Sequence, residues 1–193
     1  MNQENSNRRV LITGHTRGIG RAIYDRLKTQ GYDCVGFSQS TGHNIIACEE
    51  MIVNEIENFN YVVLNAYAQH SQEIMLKKIV ERYSDRDLRV AVITSTSGTP
   101  AGADDDMQDE EYTEYKQLKK DLITYISEIQ QELIDKNLNV YDVCPDTVYT
   151  DMTVGLWEEY PKLQPEDVAE CVDLVFSTKH YNINKIVIQK NAD

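Results

Sequence analysis

The sequence predicts an α/β fold, a doubly wound parallel sheet of about six or seven strands with helices on both faces. Six short apolar runs, rich in β-branched and aromatic residues, alternate with longer stretches of helical periodicity. This alternation favours parallel strands because each parallel connection needs a crossover, usually a helix. A chain of 193 residues can build one sizeable core but not two. We therefore expect a single domain over residues 1–193, with residues 1–8 as a disordered polar segment.

Strands are predicted where apolar runs are bounded by polar or glycine-containing turns. These runs lie at 10–12, 34–37, 61–64, 90–93, 140–143 and 186–188. Helical candidates lie near 19–30, 47–58, 71–83, 113–136 and 165–177. The longest candidate carries apolar residues at spacings of three or four, which indicates one core-facing side. Those residues are Leu118, Leu122, Ile126, Ile129 and Leu133.

The charge and the apolar content limit the classes of partner. The formal net charge is −13, which repels nucleic acid and anionic membranes at long range, so we expect neither as a partner. No segment approaches the ~20 apolar residues of a membrane span, and residues 1–9 lack the apolar stretch of a signal peptide. The four cysteines form no C-x-x-C pair and no zinc spacing, so we expect no metal site. A cytoplasmic protein is the expectation.

A glycine-rich turn follows the first predicted strand. Residues 13–20 read Thr-Gly-His-Thr-Arg-Gly-Ile-Gly, and a helix opens there. In this setting Gly14 permits the tight turn, Gly18 lets the backbone approach a pyrophosphate, and Gly20 lets the helix pack close to the strand. The N–H groups and the partial positive charge at the helix start favour phosphate. The turn predicts a dinucleotide site, and the alternative is an ordinary loop that needs glycine.

The turn resembles the motif T-G-x-x-x-G-I-G of the short-chain dehydrogenase/reductase superfamily. The matching residues are Thr13, Gly14, Gly18, Ile19 and Gly20. The resemblance runs from residue 9 to about residue 189. It implies a Rossmann-like fold and a nicotinamide-dependent oxidoreductase that acts on CH–OH or C=O groups of a small alcohol or carbonyl substrate. It also implies a homodimer or a homotetramer.

The end of the second strand favours NADP(H) over NAD(H). In the superfamily, NAD users usually place an acidic residue there to bind the ribose diol, whereas this chain has Ser38. Arg17 stands just before Gly18, where NADP users often carry a basic residue, and a guanidinium offers forked donors to a phosphate. The alternative is that Arg17 is a solvated loop residue. Asn44 and Ile45 resemble the pair that touches the adenine.

Two pairs of residues fit the Tyr-x-x-x-Lys signature of the superfamily. Tyr112/Lys116 and Tyr115/Lys119 each place both side chains on one helical face. A nearby ammonium lowers the pKa of a tyrosine hydroxyl, which at its usual value of about 10 is a weak acid at neutral pH. Pro145 lies at the family's distance from Tyr115 and three residues late from Tyr112. We therefore assign Tyr115 as the proton donor and Lys119 as its electrostatic partner.

Residues 92–98 resemble the I-S-S-x-A-G pattern that carries the superfamily's catalytic serine. Ser95 matches the reactive position and Ser97 is the second candidate, and the hydroxyl would hold the substrate oxygen. Residues 145–150 resemble the P-G-x-V-x-T segment, in which Val148 and Thr150 would hold the carboxamide of the nicotinamide. The cofactor contacts implied by the resemblance are Gly14, Thr16, Arg17, Gly18, Ile19, Gly20, Ser38, Asn44, Ile45, Asn65, Ala66, Tyr115, Lys119, Pro145, Val148 and Thr150.

Four departures from the superfamily pattern affect mainly the substrate half. The segment 65–95 is short and offers no Asn for the usual fourth catalytic residue. Tyr67 and Asp146 replace glycines. The stretch 37–44 is too short for the usual extra helix and strand, so a seventh strand would be a small one near 43–46. These departures motivate a rival hypothesis, in which a catalytically weak member senses the nucleotide or binds a partner.

Two further segments lie near the presumed active site. The lid between residues 152 and 165 is short and contains Trp157 and Tyr160. The acidic stretch 104–111 is interpreted as a solvated loop, and the alternative is that it meets a cationic substrate or a metal ion. A third class of function, a structural subunit, would predict no nucleotide binding at all.

Overall fold

The sheet has six parallel strands in the order β2-β1-β3-β4-β5-β6. The computed structural model describes residues 8–100, 110–156 and 158–191. The strands are β1 (Arg9–Thr13), β2 (Asp33–Phe37), β3 (Tyr61–Leu64), β4 (Leu88–Ile93), β5 (Leu138–Pro145) and β6 (Lys185–Ile188). At the centre, Ile12 of β1 lies opposite Gly36 of β2 on one side and Val63 of β3 on the other. The predicted doubly wound α/β fold is confirmed.

Five α-helices within the described residues cover the two faces of the sheet. They are α1 (Gly18–Thr29), α2 (Glu49–Glu55), α3 (Ser71–Tyr83), α4 (Glu110–Glu132) and α5 (Pro165–Ser177). Successive strand residues point to opposite faces. Val10 and Ile12 therefore pack in the core under α1 and α5, whereas Leu11 packs in the core under α2, α3 and α4. Each face has its own apolar core, as expected of a single α/β domain.

The longest helix, α4, buries the side that its sequence pattern indicates. All five residues of the predicted apolar stripe, from Leu118 to Leu133, are buried. Lys119 lies next to this stripe and is also buried, with 4% of its surface exposed. A lysine is rarely buried without polar partners, because removing an ammonium from water is costly. Its partners therefore bear directly on function.

The connection between β2 and α2 contains a 3₁₀ turn at Gln39–Thr41 and no strand. Asn44 Oδ1 accepts hydrogen bonds from the backbone N–H groups of Ile46 (2.9 Å) and Ala47 (3.2 Å). Such an Asx turn favours compact backbone over an extended strand. The small seventh strand considered near 43–46 does not form, and β2 is the edge strand of the described sheet.

Three sequence-based expectations fall at least in part outside the described residues. They concern the N-terminal segment up to residue 7, the acidic stretch at 104–109, and Trp157 of the lid. None of the helices in the described ranges is long and apolar enough to cross a membrane. The same ranges contain no group of three or more His, Cys, Asp or Glu side chains that could hold a metal ion.

Candidate active site

A cleft opens at the carboxyl ends of the central strands, where the chain switches faces between β1 and β3. The helix after β1 packs on one face of the sheet, and the helix after β3 packs on the other. Ligands of doubly wound sheets bind at such switch points. The lining residues are Gly14, Thr16, Arg17, Gly18, Ile19, Ser38, Gln39, Asn44, Ile45, Asn65, Ala66, Tyr67, Ala68, Ile93, Thr94, Tyr115, Lys119, Thr150, Asp151 and Met152.

The cleft has two ends of different construction. We call the part formed by residues 14–19 and 38–45 the nucleotide end. We call the part formed by Ile93, Tyr115 and Lys119 the reactive end. Most of the residues that the sequence assigns to the cofactor line one end or the other.

The nucleotide end begins with the glycine-rich turn. Gly14 and Gly18 have positive φ angles of +74° and +52°, a backbone region that favours glycine. A Cβ on Gly20 would overlap the carbonyl oxygen of Gly14, so only glycine lets the start of α1 pack this close to the turn. The side chain of Asn65 donates to the carbonyl oxygens of Thr13 (3.2 Å) and Gly14 (3.4 Å), which ties the turn to the end of β3.

The turn has the geometry of a phosphate cradle. The first N–H groups of α1 have no partner within the helix, and the side chain of Arg17, the residue at the N-cap, makes no capping hydrogen bond to them. A Cβ on Gly18 would lie 3.3 Å from Thr150 Cγ2, a tight contact at a position whose positive φ already disfavours a side chain. Unpaired N–H groups, a positive helix end and a narrow backbone passage together fit the pyrophosphate of a dinucleotide.

Three hydroxyl groups meet at the end of β2. Ser38 is buried, and its Oγ lies 3.0 Å from Thr16 Oγ1 and 3.3 Å from Ser40 Oγ. Ser40 donates to Thr16 Oγ1 over 2.9 Å. We call Thr16, Ser38 and Ser40 the hydroxyl cluster. Sequence reasoning missed Ser40, because only the 3₁₀ turn brings it back to Thr16.

Arg17 lies beside the hydroxyl cluster on the exposed side of the turn. Its side chain is 78% exposed, and its Nη1 lies 3.8 Å from Asp151 Oδ2 in the loop after β5. An exposed ion pair of this length contributes little to stability. The guanidinium is therefore available to a ligand at the nucleotide end.

The predicted Ser95 lies beside the reactive end and is hydrogen-bonded to Tyr115. Ser95 follows β4, is buried, and its hydroxyl bonds the side chain of Tyr115. Burial raises the pKa of Tyr115 to about 12, and the Ser95 hydrogen bond opposes this shift. The sequence led us to expect a lowered pKa. In the structure, burial of the hydroxyl outweighs the groups that stabilise its ionised form.

Lys119 lies one helical turn after Tyr115 and is held by two acceptors. Its Nζ donates to Gln72 Oε1 over 2.7 Å and to the carbonyl oxygen of Ile93 over 3.0 Å. Burial lowers the pKa of Lys119 to about 8, and its electrostatic interactions with Cys144 and Asp142 on β5 act in the opposite direction. Sequence reasoning missed Gln72, because a glutamine in the first turn of an amphipathic helix carries no functional signal of its own.

The alternative pair, Tyr112 and Lys116, lies outside the cleft lining. The hydroxyl of Tyr112 is 3.4 Å from Ser97 Oγ, and Lys116 Nζ lies 5.7 Å from the centre of the Tyr112 ring. The two pairs therefore differ in location, and Tyr115 with Lys119 is the pair that faces the cleft.

Four of the predicted site residues do not line the cleft. Gly20 lies beneath the turn against Gly14. Pro145 pairs with Ile188 inside the sheet, and Val148 is buried and bridges to Leu163. Ser95, the fourth, is connected to the site through its hydrogen bond with Tyr115.

Tyr67 and Asp146, which replace glycines of the superfamily pattern, each contact neighbouring residues of the site. The ring of Tyr67 meets the ring of Tyr115 edge to face at 5.1 Å, and Lys119 Nζ lies 5.7 Å from the Tyr67 ring centre. Tyr67 is 38% exposed, so it covers part of the reactive end and still contacts solvent. Asp146 accepts a hydrogen bond from Thr96 Oγ1 (3.1 Å), which ties the loop after β5 to the loop after β4.

The lid between β5 and α5 is held by a lysine. Lys162 Nζ donates to the carbonyl oxygens of Thr153 (2.9 Å) and Leu156 (2.6 Å). Thr153 Oγ1 in turn donates to the carbonyl oxygen of Val148 over 2.6 Å. The lid nevertheless exposes apolar side chains, namely Tyr149, Met152, Val154, Leu156 and Tyr160.

Solved structures share this fold at low sequence identity. A short-chain dehydrogenase/reductase from Vibrio parahaemolyticus is 17% identical, with a TM-score of 0.72 over 95% of this chain and 100% of that chain. A short-chain dehydrogenase from Burkholderia cenocepacia J2315, solved in complex with NADP, is 18% identical, with a TM-score of 0.72 over 97% of this chain and 98% of that chain. A 4-hydroxyisoleucine dehydrogenase complexed with NADH is 16% identical, with a TM-score of 0.70 over 94% of this chain and 97% of that chain.

The sequence itself carries a family assignment. Comparison with curated proteins finds no match. The short chain dehydrogenase family model matches residues 8–117, which is more than half of the chain and includes the glycine-rich turn, Ser95 and Tyr115. The chain therefore belongs to the short-chain dehydrogenase/reductase family of oxidoreductases.

Proposed function

We propose that this protein transfers hydride between NADP(H) and a small carbonyl or alcohol substrate. The observation that carries the proposal is that Tyr115, which is hydrogen-bonded to Ser95, and Lys119 line one end of a cleft whose other end has the geometry of a phosphate cradle. Reduction of a carbonyl needs a proton donor for the developing alkoxide and a hydrogen-bond donor to hold the same oxygen. The reactive end offers both within one hydrogen-bonded group.

In the proposed mechanism, the residues act on the substrate oxygen. The nicotinamide, when bound, supplies the hydride to the carbonyl carbon or accepts it from the alcohol. Tyr115 donates its hydroxyl proton to the oxygen, and Ser95 orients that oxygen by a hydrogen bond. Lys119 binds the nicotinamide ribose, and its charge favours the ionised form of Tyr115.

The preference for NADP(H) rests on the nucleotide end. The hydroxyl cluster offers hydrogen-bond donors at the end of β2, and Arg17 offers a guanidinium beside it. A 2′-phosphate accepts hydrogen bonds from both hydroxyl and guanidinium groups. The ribose diol of NAD instead donates hydrogen bonds, and a carboxylate is its best acceptor. Structural relatives have been solved with NADP and with NADH, so the residues of the nucleotide end alone support the preference for NADP(H). We expect kcat/KM to favour NADPH over NADH.

Replacement of Tyr115 by Phe tests the catalytic assignment. We expect Tyr115→Phe to bind NADPH with nearly unchanged affinity and to lose about 10²–10⁴-fold in kcat, because only the proton donor is removed. Fluorescence titration measures binding, and NADPH oxidation with a panel of small aldehydes and ketones measures turnover. Tyr112→Phe is the matched control and should keep its activity. Full activity in Tyr115→Phe, with loss in Tyr112→Phe, would reverse the assignment.

A second function is favoured by one observation, the ring of Tyr67 against Tyr115. A side chain at this position narrows the approach of a substrate to the proton donor. A protein that binds the nucleotide as a sensor or as a partner-binding module would tolerate this obstruction. NADPH binding without turnover of any carbonyl in the panel would support this function over hydride transfer.

A further inference from the structure

Gln72 lies in the first turn of α3 and joins three elements around Lys119. Only 4% of its surface is exposed. Its Nε2 donates to the carbonyl oxygens of Leu64 (2.8 Å) at the end of β3 and Ile93 (3.1 Å) at the end of β4. Its Oε1 accepts from Lys119 Nζ of α4 over 2.7 Å. The carboxamide is therefore bonded on both sides.

The orientation of this carboxamide follows from its neighbours. A backbone carbonyl can only accept, so the two carbonyl oxygens require the NH₂ group to face the strand ends. The amide oxygen of Gln72 then has to face Lys119, because a turned amide would lose its hydrogen bond to the carbonyl oxygen of Leu64 and would set its NH₂ group against the ammonium, which is also a donor. The strand ends thus fix an acceptor at one position beside the lysine.

The ammonium group of Lys119 has more N–H donors than its contacts with Gln72 and Ile93 use. An ammonium has three N–H groups. Gln72 and the carbonyl oxygen of Ile93 take two of them, and Lys119 also lines the cleft. One N–H group is left for a ligand or for another group of the site.

We propose that Gln72 is a positioning residue for Lys119, which it holds so that a single N–H group of the ammonium serves the cleft. The proposal rests on the proposed function for its catalytic meaning, because it is in hydride transfer that Lys119 acts on the cofactor and on Tyr115. The contact itself is a property of the protein that can be measured without turnover.

Several ionisable groups also face Lys119. Asp142 and Cys144 approach from β5, Tyr67 from the loop after β3, and Tyr115 from the preceding turn of α4. In the described part of the chain, Gln72 and Ile93 are the acceptors within hydrogen-bond distance of Nζ. Variants at Gln72 therefore change the nearest side chain around the ammonium and leave these other groups in place.

Two substitutions at Gln72 should move the pKa of Lys119 in opposite directions. Gln72→Met keeps the length of the side chain and removes the acceptor, so the charged ammonium loses a hydrogen bond and its pKa falls by about one unit. Gln72→Glu places a carboxylate near the ammonium, so the pKa rises by about one unit or more. Gln117→Met, on the exposed side of α4, is the matched control and should leave the pKa unchanged.

The test combines a spectroscopic and a kinetic readout. Lysines labelled with ¹³C at Cε are titrated by NMR in each variant, and Lys119→Met identifies the signal. The pH profile of kcat should show its alkaline limb moving with the measured pKa, down in Gln72→Met and up in Gln72→Glu. A role in stability alone would lower the melting temperature without moving this limb.

The outcomes separate this proposal from the proposed function. Opposite pKa shifts in a protein without turnover would support the positioning role and reject hydride transfer. Turnover with a Lys119 pKa that is the same in both variants would overturn the positioning role and leave hydride transfer intact. If neither variant folds, the unmodified protein decides: Lys119 N–H groups that exchange as fast as those of surface lysines would overturn the proposal, and slowed exchange would support it.

Discussion

The two ends of the cleft are built from different parts of the polypeptide. The nucleotide end is mostly backbone and small side chains: two glycines with positive φ, a third glycine under the turn, and three hydroxyl groups. The reactive end and the residues that support it are side chains from separate elements, with Ser95 after β4, Tyr115 and Lys119 on α4, and Gln72 on α3. The first end depends on local chain geometry, and the second depends on how elements meet.

This difference explains where the chain keeps the family pattern and where it departs from it. A backbone cradle tolerates few residues other than glycine, so its residue types are fixed by steric contact. In a site made of side chains, a residue from a different helix or strand can take the place of another residue if it satisfies the same hydrogen bonds. At the reactive end, Gln72 of α3 bonds Lys119, and Tyr67, which stands where the superfamily motif has a glycine, contacts Tyr115.

The largest expected effect is at the nucleotide end, in Gly20→Ala. The new Cβ would overlap the carbonyl oxygen of Gly14, which is backbone and cannot move aside. We expect a loss of about 3 kcal/mol or more in the free energy of unfolding, together with loss of NADPH binding. Urea denaturation and fluorescence titration measure the two effects.

Gly36→Ala is the matched comparison for that variant. Its Cβ would overlap the ring of His15, a side chain that has rotamers to adopt, so the loss of stability should be smaller. Equal destabilisation by the two variants would contradict the idea that the nucleotide end is limited by backbone contact.

The next effect concerns the reactive end and its pH dependence. The pKa of Lys119 is about 8 in the folded protein and 10.5 ordinarily. Below pH 8 the ammonium is charged in both the folded and the unfolded chain, and the free-energy cost of burying that charge lowers the stability of the fold in full. Between pH 8 and 10.5 the folded protein releases this proton and the unfolded chain keeps it, so this contribution to stability increases with pH.

Lys119→Met isolates this contribution. The stability of the unmodified protein relative to Lys119→Met should rise by about 3 kcal/mol between pH 7 and pH 10.5. Urea denaturation at several pH values measures it, with exposed Lys120→Met as the reference. A difference that stays constant with pH would show that the charge of Lys119 is not suppressed by burial.

The smallest effect, in Arg17→Ser, separates cofactor selectivity from cofactor binding. We expect kcat/KM for NADPH to fall about tenfold and kcat/KM for NADH to stay the same, because the guanidinium serves only the 2′-phosphate. Arg21→Ser, one turn along α1 and paired with Asp25, is the control. An equal fall with both cofactors would assign Arg17 to the pyrophosphate, and no change would leave it a solvated loop residue.

The sequence predicted the fold well because its signals are local. Strand runs, helical periodicity and the apolar stripe of α4 each depend on residues close together in the chain, and the structure has all six strands and five helices in the described ranges. The glycine-rich turn is equally local. The assignments of Ser95, Tyr115 and Lys119 stay predictions until they are tested, although the structure brings these three residues together.

Other features depended on distant residues, and the sequence did not reveal them. Ser40 joins the hydroxyl cluster only because the 3₁₀ turn bends the chain back to Thr16. Pro145 and Val148 match a family segment, yet sheet pairing and burial direct them away from the cleft. The pKa of Tyr115 is set by burial, which no spacing of residues expresses.

By itself, the sequence determined the doubly wound sheet and the glycine-rich turn, because hydrophobic periodicity and the steric freedom of glycine act over a few neighbouring residues. Only the tertiary structure decided how Lys119 is held. Its partners come from the end of β4 and from α3, 26 and 47 residues away in the chain. Hydrogen bonds between such distant groups form only after the sheet has brought the strand ends together, so no short stretch of sequence encodes them.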